Sequence, residues 1–313
     1  MKKPIVSLCI PTNGVIEWVF PVLESISKQG VDSELFEVVV TDNGNNIMFK
    51  NKMKEYVRLH NNIIYEETNA LPFLNEIESY KKASGELIKF VNHRTLLSAG
   101  ALKRMIDYAE KYKEIKPIIY FSNGVLKLEK ECHEYTTFDQ FVKNLSCWSS
   151  WSTGMCIWKS DFEKLPTDLS EYNELFPHTT VLFNERARGK YVIDNEVIFD
   201  EMPQGKKPKG NYDLFGAFGI EYPWIIFSLL KDKSISYKTF KFVKKKNLEI
   251  VASLYWDFCV RKKYCSYDLN GFEDMFGVFY TRRSLYTEVI IVAIKNFLKS
   301  LIMSSRNERG NKL

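Results

Sequence analysis

The chain has 313 residues, of which 45% are hydrophobic and 14% aromatic, a composition typical of a globular protein rather than a disordered one. Its formal net charge of +5, from 44 basic and 39 acidic residues, is too small to indicate a nucleic-acid-binding protein. The six cysteines form no Cys-x-x-Cys pair, which argues against a disulfide scaffold or a zinc site and favours a reducing cytoplasm.

Short apolar runs alternate with amphipathic stretches along the chain. The run at residues 5–10 ends at the polar residues 11–14, and the β-branched run at 36–40 ends at the turn residues 41–44. Such alternation predicts an α/β protein with a mostly parallel sheet. The predicted strands cover residues 5–10, 36–40, 63–65, 87–91, 116–121, 155–158, 190–193 and 197–199. The predicted helices cover residues 18–26, 73–83, 222–230, 248–260 and 285–302, with another beginning near residue 98.

The segment after the strand at residues 87–91 carries three polar side chains, Asn92, His93 and Arg94. In an open parallel sheet, ligands bind at the carboxyl ends of the strands. These residues, with Asp42 at the end of an earlier strand, are therefore candidates for ligand contacts. The same three residues also fit an ordinary turn before the next helix.

Landmarks in the first two thirds of the chain resemble those of the inverting family 2 glycosyltransferases of the bacterial surface-polysaccharide type. In chain order they are the strand end at residues 10–13, the helix at 24–29, the strand end at 41–44, Asn75 and the segment 83–88. Members of that family have the GT-A fold, a Rossmann-like, nucleotide-sugar-binding domain with a mostly parallel sheet. The resemblance rests on the order of these landmarks.

The resemblance covers residues 4–203 and implies two regions. We expect a GT-A glycosyltransferase domain at residues 1–203. A helical C-terminal region at 204–313 would lie on the acceptor side and contact a membrane surface or another subunit. The segment 205–210, which contains two glycines and three lysines, is predicted to be a loop between them.

The resemblance also implies a set of donor-binding residues. Pro11, Thr12 and Asn13, in the loop after the first strand, would hold the nucleotide together with Asp42 and Asn75. A carboxylate at a strand end can accept hydrogen bonds from a base or from ribose hydroxyls. The alternative for Asp42 is a local turn with the two residues that follow it.

The chain departs from the family where an Asp-x-Asp motif normally binds Mn²⁺ or Mg²⁺ under the donor diphosphate. Here that position reads Asn92-His93-Arg94, without a carboxylate. Because a guanidinium repels cations and pairs bidentately with phosphate oxygens, we expect Arg94, with His93, to replace the metal. No metal ligand is predicted in this segment. The alternatives are a metal held by Asp200 or Glu201, or an inactive relative.

A second departure concerns the catalytic base. Counted back from Gly189, the family's acidic base position is occupied by His178. A neutral imidazole, with an ordinary pKa near ~6.5, can accept a proton from an attacking sugar hydroxyl. His178 and Arg94 are thus the predicted catalytic residues, with Glu171 and Glu174 as alternative bases.

Four residues are predicted to contact the acceptor: Trp148, Trp151, Thr153 and Gly154. The resemblance implies a loop of small residues here, near the acceptor and the donor sugar. The faces of the two tryptophans suit the C–H surfaces of a pyranose, although both residues also fit an ordinary core.

The last predicted helix is amphipathic, since the apolar residues of segment 287–301 fall largely on one side and basic residues follow. Contact with an anionic membrane surface fits this pattern, and packing on the catalytic domain or on another subunit is the alternative. No apolar run approaches the roughly 20 residues that span a bilayer, and no secretory signal is recognised. We therefore expect a cytoplasmic protein at the inner face of the membrane.

These features predict a glycosyltransferase that moves a sugar from a nucleotide-diphosphate donor to a growing bacterial surface glycan, with inversion. The glycan would be an O-antigen, a capsule or a teichoic-type polymer, free or lipid-linked, and homo-oligomers are compatible with the sequence. The alternative is a catalytically silent nucleotide-sugar-binding or scaffold subunit. A dinucleotide-dependent dehydrogenase is disfavoured because residues 11–14 lack Gly-x-Gly-x-x-Gly.

Overall fold

The computed structural model describes residues 3–203 and 210–310, with side chains as far as residue 299. The chain divides into two compact units, Met1–Pro203 and Gln204–Leu313. Most of the predicted loop at residues 205–210 lies outside the described residues.

The first unit alternates strands with helices. Its elements in chain order are β1 (Val6–Thr12), α1 (Ile16–Ser27), β2 (Phe36–Asp42), α2 (Ile47–Leu59), β3 (Ile63–Glu67), α3 (Asn75–Lys82), β4 (Leu87–Phe90), β5 (Thr95–Leu97), α4 (Ala101–Tyr112), β6 (Ile118–Phe121), β7 (Cys132–Tyr135), α5 (Phe138–Leu145), β8 (Cys156–Trp158), α6 (Lys159–Phe162), α7 (Pro177–Leu182), β9 (Tyr191–Asp194) and β10 (Phe199–Glu201). Residues 146–150 and 152–154 form short 3₁₀ turns.

The main sheet has the strand order β3-β2-β1-β4-β8, and its pairs are parallel except for β4 with β8. β1 is central and buried along almost its whole length, and its sequence is largely apolar because helices cover both faces of such a sheet. In the β1–β2 register, Thr12 lies opposite Asp42, so these two strands end side by side. The predicted α/β architecture with a mostly parallel sheet is confirmed.

Two smaller sheets complete the first unit, with strand orders β6-β9-β7 and β5-β10. β5 and β7 were not predicted. β5 has only three residues and pairs antiparallel with β10, about a hundred residues later, in a register where Leu97 faces Phe199. A strand this short is defined by its long-range partner rather than by its own pattern. The strand predicted at 197–199 accordingly begins two residues later, at Phe199.

The second unit is helical in its described part. Its helices are α8 (Leu214–Gly216), α9 (Tyr222–Lys231), α10 (Tyr237–Tyr255) and α11 (Arg282–Gly310), with π-helical turns at residues 217–221 and 256–260. α10 begins eleven residues before the predicted start at residue 248. The Ser236 side chain caps it by accepting the Thr239 N–H at 3.2 Å, which satisfies a backbone donor at the start of the helix.

One stretch of the second unit, Leu214–Lys231, has the length and mean hydropathy (1.2) of a membrane span, and 44% of it is buried within the protein. Core helices of soluble proteins have the same properties, so this is weak evidence for a span. The unit has its own apolar core, in which Phe215, Val251 and Leu285 are fully buried.

Candidate functional site

Three neighbouring strands of the main sheet, β2, β1 and β4, end at the same edge because they run parallel. Thr12 is the last residue of β1 and Asp42 the last of β2, while Asn92, His93 and Arg94 follow β4. The edge therefore brings together side chains that are up to 82 positions apart in the sequence.

A hydrogen bond links the ends of β1 and β4 at this edge. The Thr12 hydroxyl lies 2.8 Å from Nδ1 of His93 and also accepts the backbone N–H of Gly14 at 3.1 Å. Burial and the neighbouring Arg94 cation lower the pKa of His93 to about 3, so its ring is neutral near pH 7. A neutral ring whose Nδ1 is already bonded positions the loop after β4 and adds no charge to it.

The Arg94 guanidinium is held over the indole of Trp18, on α1, with its central carbon 5.4 Å from the ring centroid. The Trp18 ring also lies 5.0 Å from the ring of His93. The backbone is fixed as well, since the Arg94 N–H donates to the Asn92 side chain at 3.0 Å and its carbonyl accepts the Met202 N–H at 3.0 Å. Arg94 is thus a cation whose orientation is set by an aromatic face and by its backbone contacts.

Among the side chains described, those of residues 3–203 and 210–299, no acidic group forms an ion pair with Arg94. Asp200 and Glu201, the alternative metal ligands, lie on β10 opposite Leu96 and Thr95, and Asp200 accepts a hydrogen bond from Ser98 at 3.1 Å. Within the part of the chain whose side chains are described, the positive charge at the strand edge is thus not paired with a carboxylate.

The side chains after β4 do not fit a divalent metal ion. The Asn92 oxygen is used by the Arg94 N–H, His93 Nδ1 is used by Thr12, and Arg94 itself is cationic, whereas Mg²⁺ and Mn²⁺ prefer several anionic oxygens. In the described part of the chain, no group of three or more His, Cys, Asp or Glu side chains is arranged to hold a metal.

Asp42 is fully buried, with one carboxylate oxygen accepting the Gly44 N–H at 2.8 Å and the other accepting the Tyr65 hydroxyl at 3.0 Å. Burial is the main reason that its pKa is raised above the ordinary value. The bond to Gly44 is the local turn that the sequence left open as an alternative. In this conformation Asp42 shapes the loop at the end of β2 and presents no surface to solvent.

Asn75 is likewise buried, and its side-chain amide is hydrogen-bonded within the protein. Its nitrogen donates to the carbonyls of Thr12 (3.2 Å) and Thr41 (2.9 Å), and its oxygen accepts the Thr68 hydroxyl at 2.8 Å. Asn75 therefore links the ends of β1 and β2 through hydrogen bonds to both backbones. Of the predicted donor-binding residues, Pro11, Asn13, Asn92, His93 and Arg94 keep solvent-accessible surface.

His178, the predicted base, is 6% exposed near the start of α7. Its Nε2 lies 2.9 Å from the Ser150 carbonyl, a distance that requires a proton on Nε2, and its Nδ1 faces the Glu76 carboxyl at 3.8 Å. Burial lowers the pKa of His178 to about 4 and raises that of Glu76 well above its usual value. His178 is therefore neutral near pH 7, and both imidazole nitrogens are directed at protein groups.

Burial of a neutral His178 makes the stability of the protein depend on pH. An ordinary histidine takes up a proton near pH ~6.5, whereas folded His178 does so only near about 4, so the unfolded chain binds more protons between these values. The stabilisation is complete above pH ~6.5 and is lost as the pH falls, by up to roughly 3 kcal/mol for this group. His93 contributes with the same sign.

Urea denaturation of the protein between pH 7 and 4 measures this loss. We expect His178→Gln to flatten the fall in unfolding free energy. His133 lies on strand β7 with its ring against the Lys130 backbone. As the control, His133→Gln should leave the dependence of the unfolding free energy on pH nearly unchanged. If the unfolding free energy of His178→Gln falls with pH as steeply as that of the parent protein, burial of neutral His178 is not the cause of the loss.

The predicted acceptor residues lie around the ring of Tyr120, on β6. Its hydroxyl donates to the carbonyls of Trp148 (2.5 Å) and Trp151 (2.9 Å), and the two half-buried indoles are T-shaped with centroids 6.4 Å apart. Thr153 and Gly154 are buried, and a Cβ on Gly154 would lie 2.2 Å from the Tyr120 ring. Gly154 is thus required for packing, and only the tryptophans present surface to a ligand.

Lys89, which the sequence analysis did not select, anchors the same loop. It is fully buried on β4 and donates to the carbonyls of Phe90 (2.7 Å), Thr153 and Met155 (3.2 Å). Burial lowers its pKa to about 7. The one feature of the sequence that could have indicated this role is a single lysine inside the apolar run of β4. Trp18 and Glu76 were also missed, because their roles depend on neighbours from distant segments.

Comparison with solved structures identifies glycosyltransferases of the same fold. The Staphylococcus aureus protein TarS, residues 1–349 in complex with UDP-GlcNAc, aligns with a TM-score of 0.57 and 15% identity over 88% of this chain and 80% of that one. The mannosyltransferase PcManGT from Pyrobaculum calidifontis, in complex with GDP-Man and Mn²⁺, aligns with a TM-score of 0.50 and 13% identity over 94% of this chain and 87% of that one.

A longer TarS structure aligns with a TM-score of 0.53 and 16% identity over 81% of this chain. The aligned region covers only 44% of the length of that TarS chain. No protein-family model and no curated protein sequence matches the chain. At these identities the likeness concerns the fold, and it confirms the GT-A architecture expected from the sequence.

Proposed function

We propose that the protein is an inverting glycosyltransferase that uses a nucleotide-diphosphate sugar as donor and extends a bacterial surface glycan. The observation that carries the proposal is the fixed orientation of the Arg94 guanidinium and its charge, which is unpaired among the described side chains. In a GT-A fold, this cation is oriented by Trp18 at the edge where β1 and β4 end, and no described carboxylate neutralises it. Such a group suits a diphosphate.

The positive charge of Arg94 replaces a metal at the leaving group. As the acceptor oxygen bonds to the anomeric carbon, the bond from that carbon to the diphosphate oxygen breaks and negative charge develops on the phosphates. A guanidinium stabilises that charge through paired N–H···O bonds. Because its orientation is already fixed by Trp18, little rearrangement is needed when the charge appears.

The remaining donor-binding residues divide into two groups. Pro11, Asn13 and Asn92 have surface at the strand edge and contact the nucleotide directly. Behind them, the buried Asp42 and Asn75 hold the loops in place through the hydrogen bonds described above, as Thr12 does through His93. On the acceptor side, Trp148 and Trp151 offer partly exposed indoles to a sugar.

Release of nucleoside diphosphate tests the function. The purified protein is incubated in EDTA with a panel of nucleotide sugars, with and without glycan or lipid-linked glycan acceptors. We expect release from one donor, stimulated by an acceptor. A scaffold subunit would bind a nucleotide sugar without releasing diphosphate, and that outcome would refute the enzymatic proposal.

The identity of the base is a separate prediction. With its proton on Nε2, His178 can serve only through Nδ1, which must turn from the Glu76 carboxyl toward the acceptor, whereas Glu171 and Glu174 are exposed on the segment before α7. We expect the glutamine variant of the true base to lose about 10²–10⁴-fold in kcat with little change in donor binding. Comparing the three single variants assigns the role, and full activity of His178→Gln would exclude the sequence-based choice.

A further inference from the structure

The net positive charge of the chain is concentrated at its C-terminal end. Residues 282–313 contain seven basic and two acidic residues, a net charge of +5 that equals the charge of the whole chain. The 281 residues before them hold 37 basic and 37 acidic residues. All but the last three positions of this charged segment belong to α11.

The described side chains of α11 also form an exposed apolar ridge, defined by Ile290, Ile294, Phe297 and Leu298. Their exposed fractions are 60%, 53%, 62% and 51%. At about 100° per residue the four side chains fall within an arc of about 100° on the helix. They thus form one continuous strip rather than scattered apolar positions.

The ridge does not belong to the core of the second unit. α11 packs into that core through Leu285 and Val289, which are at most 7% exposed. Every side chain from residue 294 to residue 299 is exposed, so this part of the helix extends beyond the packed core of its unit. Four adjacent large apolar side chains in water are unfavourable unless another surface covers them.

Two lysines lie on the polar side of the part of the helix that leaves the core. Lys295 and Lys299 are exposed, and neither pairs with an acidic side chain among the described residues. At about 100° per residue they lie more than about 100° from the middle of the ridge, on the polar side of the helix. Long lysine stems allow the ammonium groups to reach a charged plane while the ridge lies deeper.

We propose that α11 lies flat on an anionic membrane surface, with the ridge at the boundary of the acyl chains and Lys295 and Lys299 reaching the headgroup phosphates. Charge complementarity selects this occupant. A second copy of the chain would bring two segments of net charge +5 together, whereas an anionic lipid surface attracts each of them. The proposal does not depend on the enzymatic function, since it concerns only α11.

Vesicle flotation of the full chain tests the proposal. We expect the protein to float with vesicles of phosphatidylcholine containing phosphatidylglycerol, to stay behind with phosphatidylcholine alone, and to be released by high salt. Phe297→Ser combined with Ile294→Ser should reduce the bound fraction at least tenfold. Lys295→Glu combined with Lys299→Glu should do the same.

Matched controls change the same chemistry elsewhere. Ile115→Ser combined with Val197→Ser removes two exposed apolar side chains of the first unit, and Lys52→Glu combined with Lys127→Glu makes the same change in charge. Both control variants should float like the parent protein. The proposal is overturned if the parent protein ignores anionic vesicles, if it binds neutral vesicles equally, or if the ridge variants dissociate a dimer without affecting flotation.

Discussion

Replacing Arg94 with alanine is expected to reduce the rate of sugar transfer by about 10²–10³-fold, the usual loss when one preorganised group that stabilises developing charge is removed. Folding should be little affected, because the side chain makes one cation–π contact, with Trp18, worth about 1 kcal/mol. Steady-state kinetics in EDTA, with urea denaturation of the same variants, separate the two effects.

Two further variants sharpen the interpretation of Arg94. Arg94→Lys keeps the charge but loses the paired N–H geometry, so we expect an intermediate rate. Arg58→Ala removes an exposed arginine from α2 and should leave the rate unchanged. If Arg94→Ala retains full turnover, or if the parent protein loses turnover in EDTA, the guanidinium does not replace a metal.

Replacing Gly154 with alanine is expected to lower the free energy of unfolding by roughly 3 kcal/mol, at the upper end of the usual cost of overpacking a core. The new Cβ would lie 2.2 Å from Cζ and 2.6 Å from the hydroxyl oxygen of Tyr120. The Tyr120 ring is fully buried and its hydroxyl is bonded to the Trp148 and Trp151 carbonyls, so it cannot move away cheaply. Urea denaturation measures the loss.

A double-mutant cycle isolates this clash. In a Tyr120→Leu background the ring is absent, so Gly154→Ala should cost much less than in the parent protein. Gly100→Ala is the control for backbone strain, since Gly100 has a φ of +81° and nothing within 4 Å of its Cβ position. It should cost about 1 kcal/mol. Additive effects of Gly154→Ala and Tyr120→Leu would show that the ring is not the obstacle.

The main sheet was predictable because its strands have strong local signals. β1 and β2 are largely apolar runs that end on turn residues, and the mostly parallel sheet follows from the alternation with helices. β5 and β7 have three and four residues and exist because of their partners, so no local pattern revealed them. α10 was predicted too short because lysines interrupt the apolar pattern of its first half.

For the candidate site, the strand edge that its residues share was predictable, whereas the hydrogen bonds and ring contacts among them were not. That Thr12, Asp42 and Arg94 share one edge follows from parallel strands. The complete burial of Asp42 and the contact of Trp18 with Arg94 were not predictable. Both depend on how elements from separate parts of the chain pack together, and no local sequence pattern indicates that packing. The pairing of His178 with the Ser150 carbonyl is of the same kind.

The most direct test of the role of Arg94 is calorimetric titration of UDP and GDP into the parent protein and Arg94→Ala, both in excess EDTA. We predict that one nucleotide binds the parent protein in EDTA, that added Mn²⁺ does not tighten binding, and that the variant binds about tenfold or more weakly, as expected for a charge-assisted bond. Binding that disappears in EDTA and returns with Mn²⁺, with equal affinities for both proteins, would contradict this assignment.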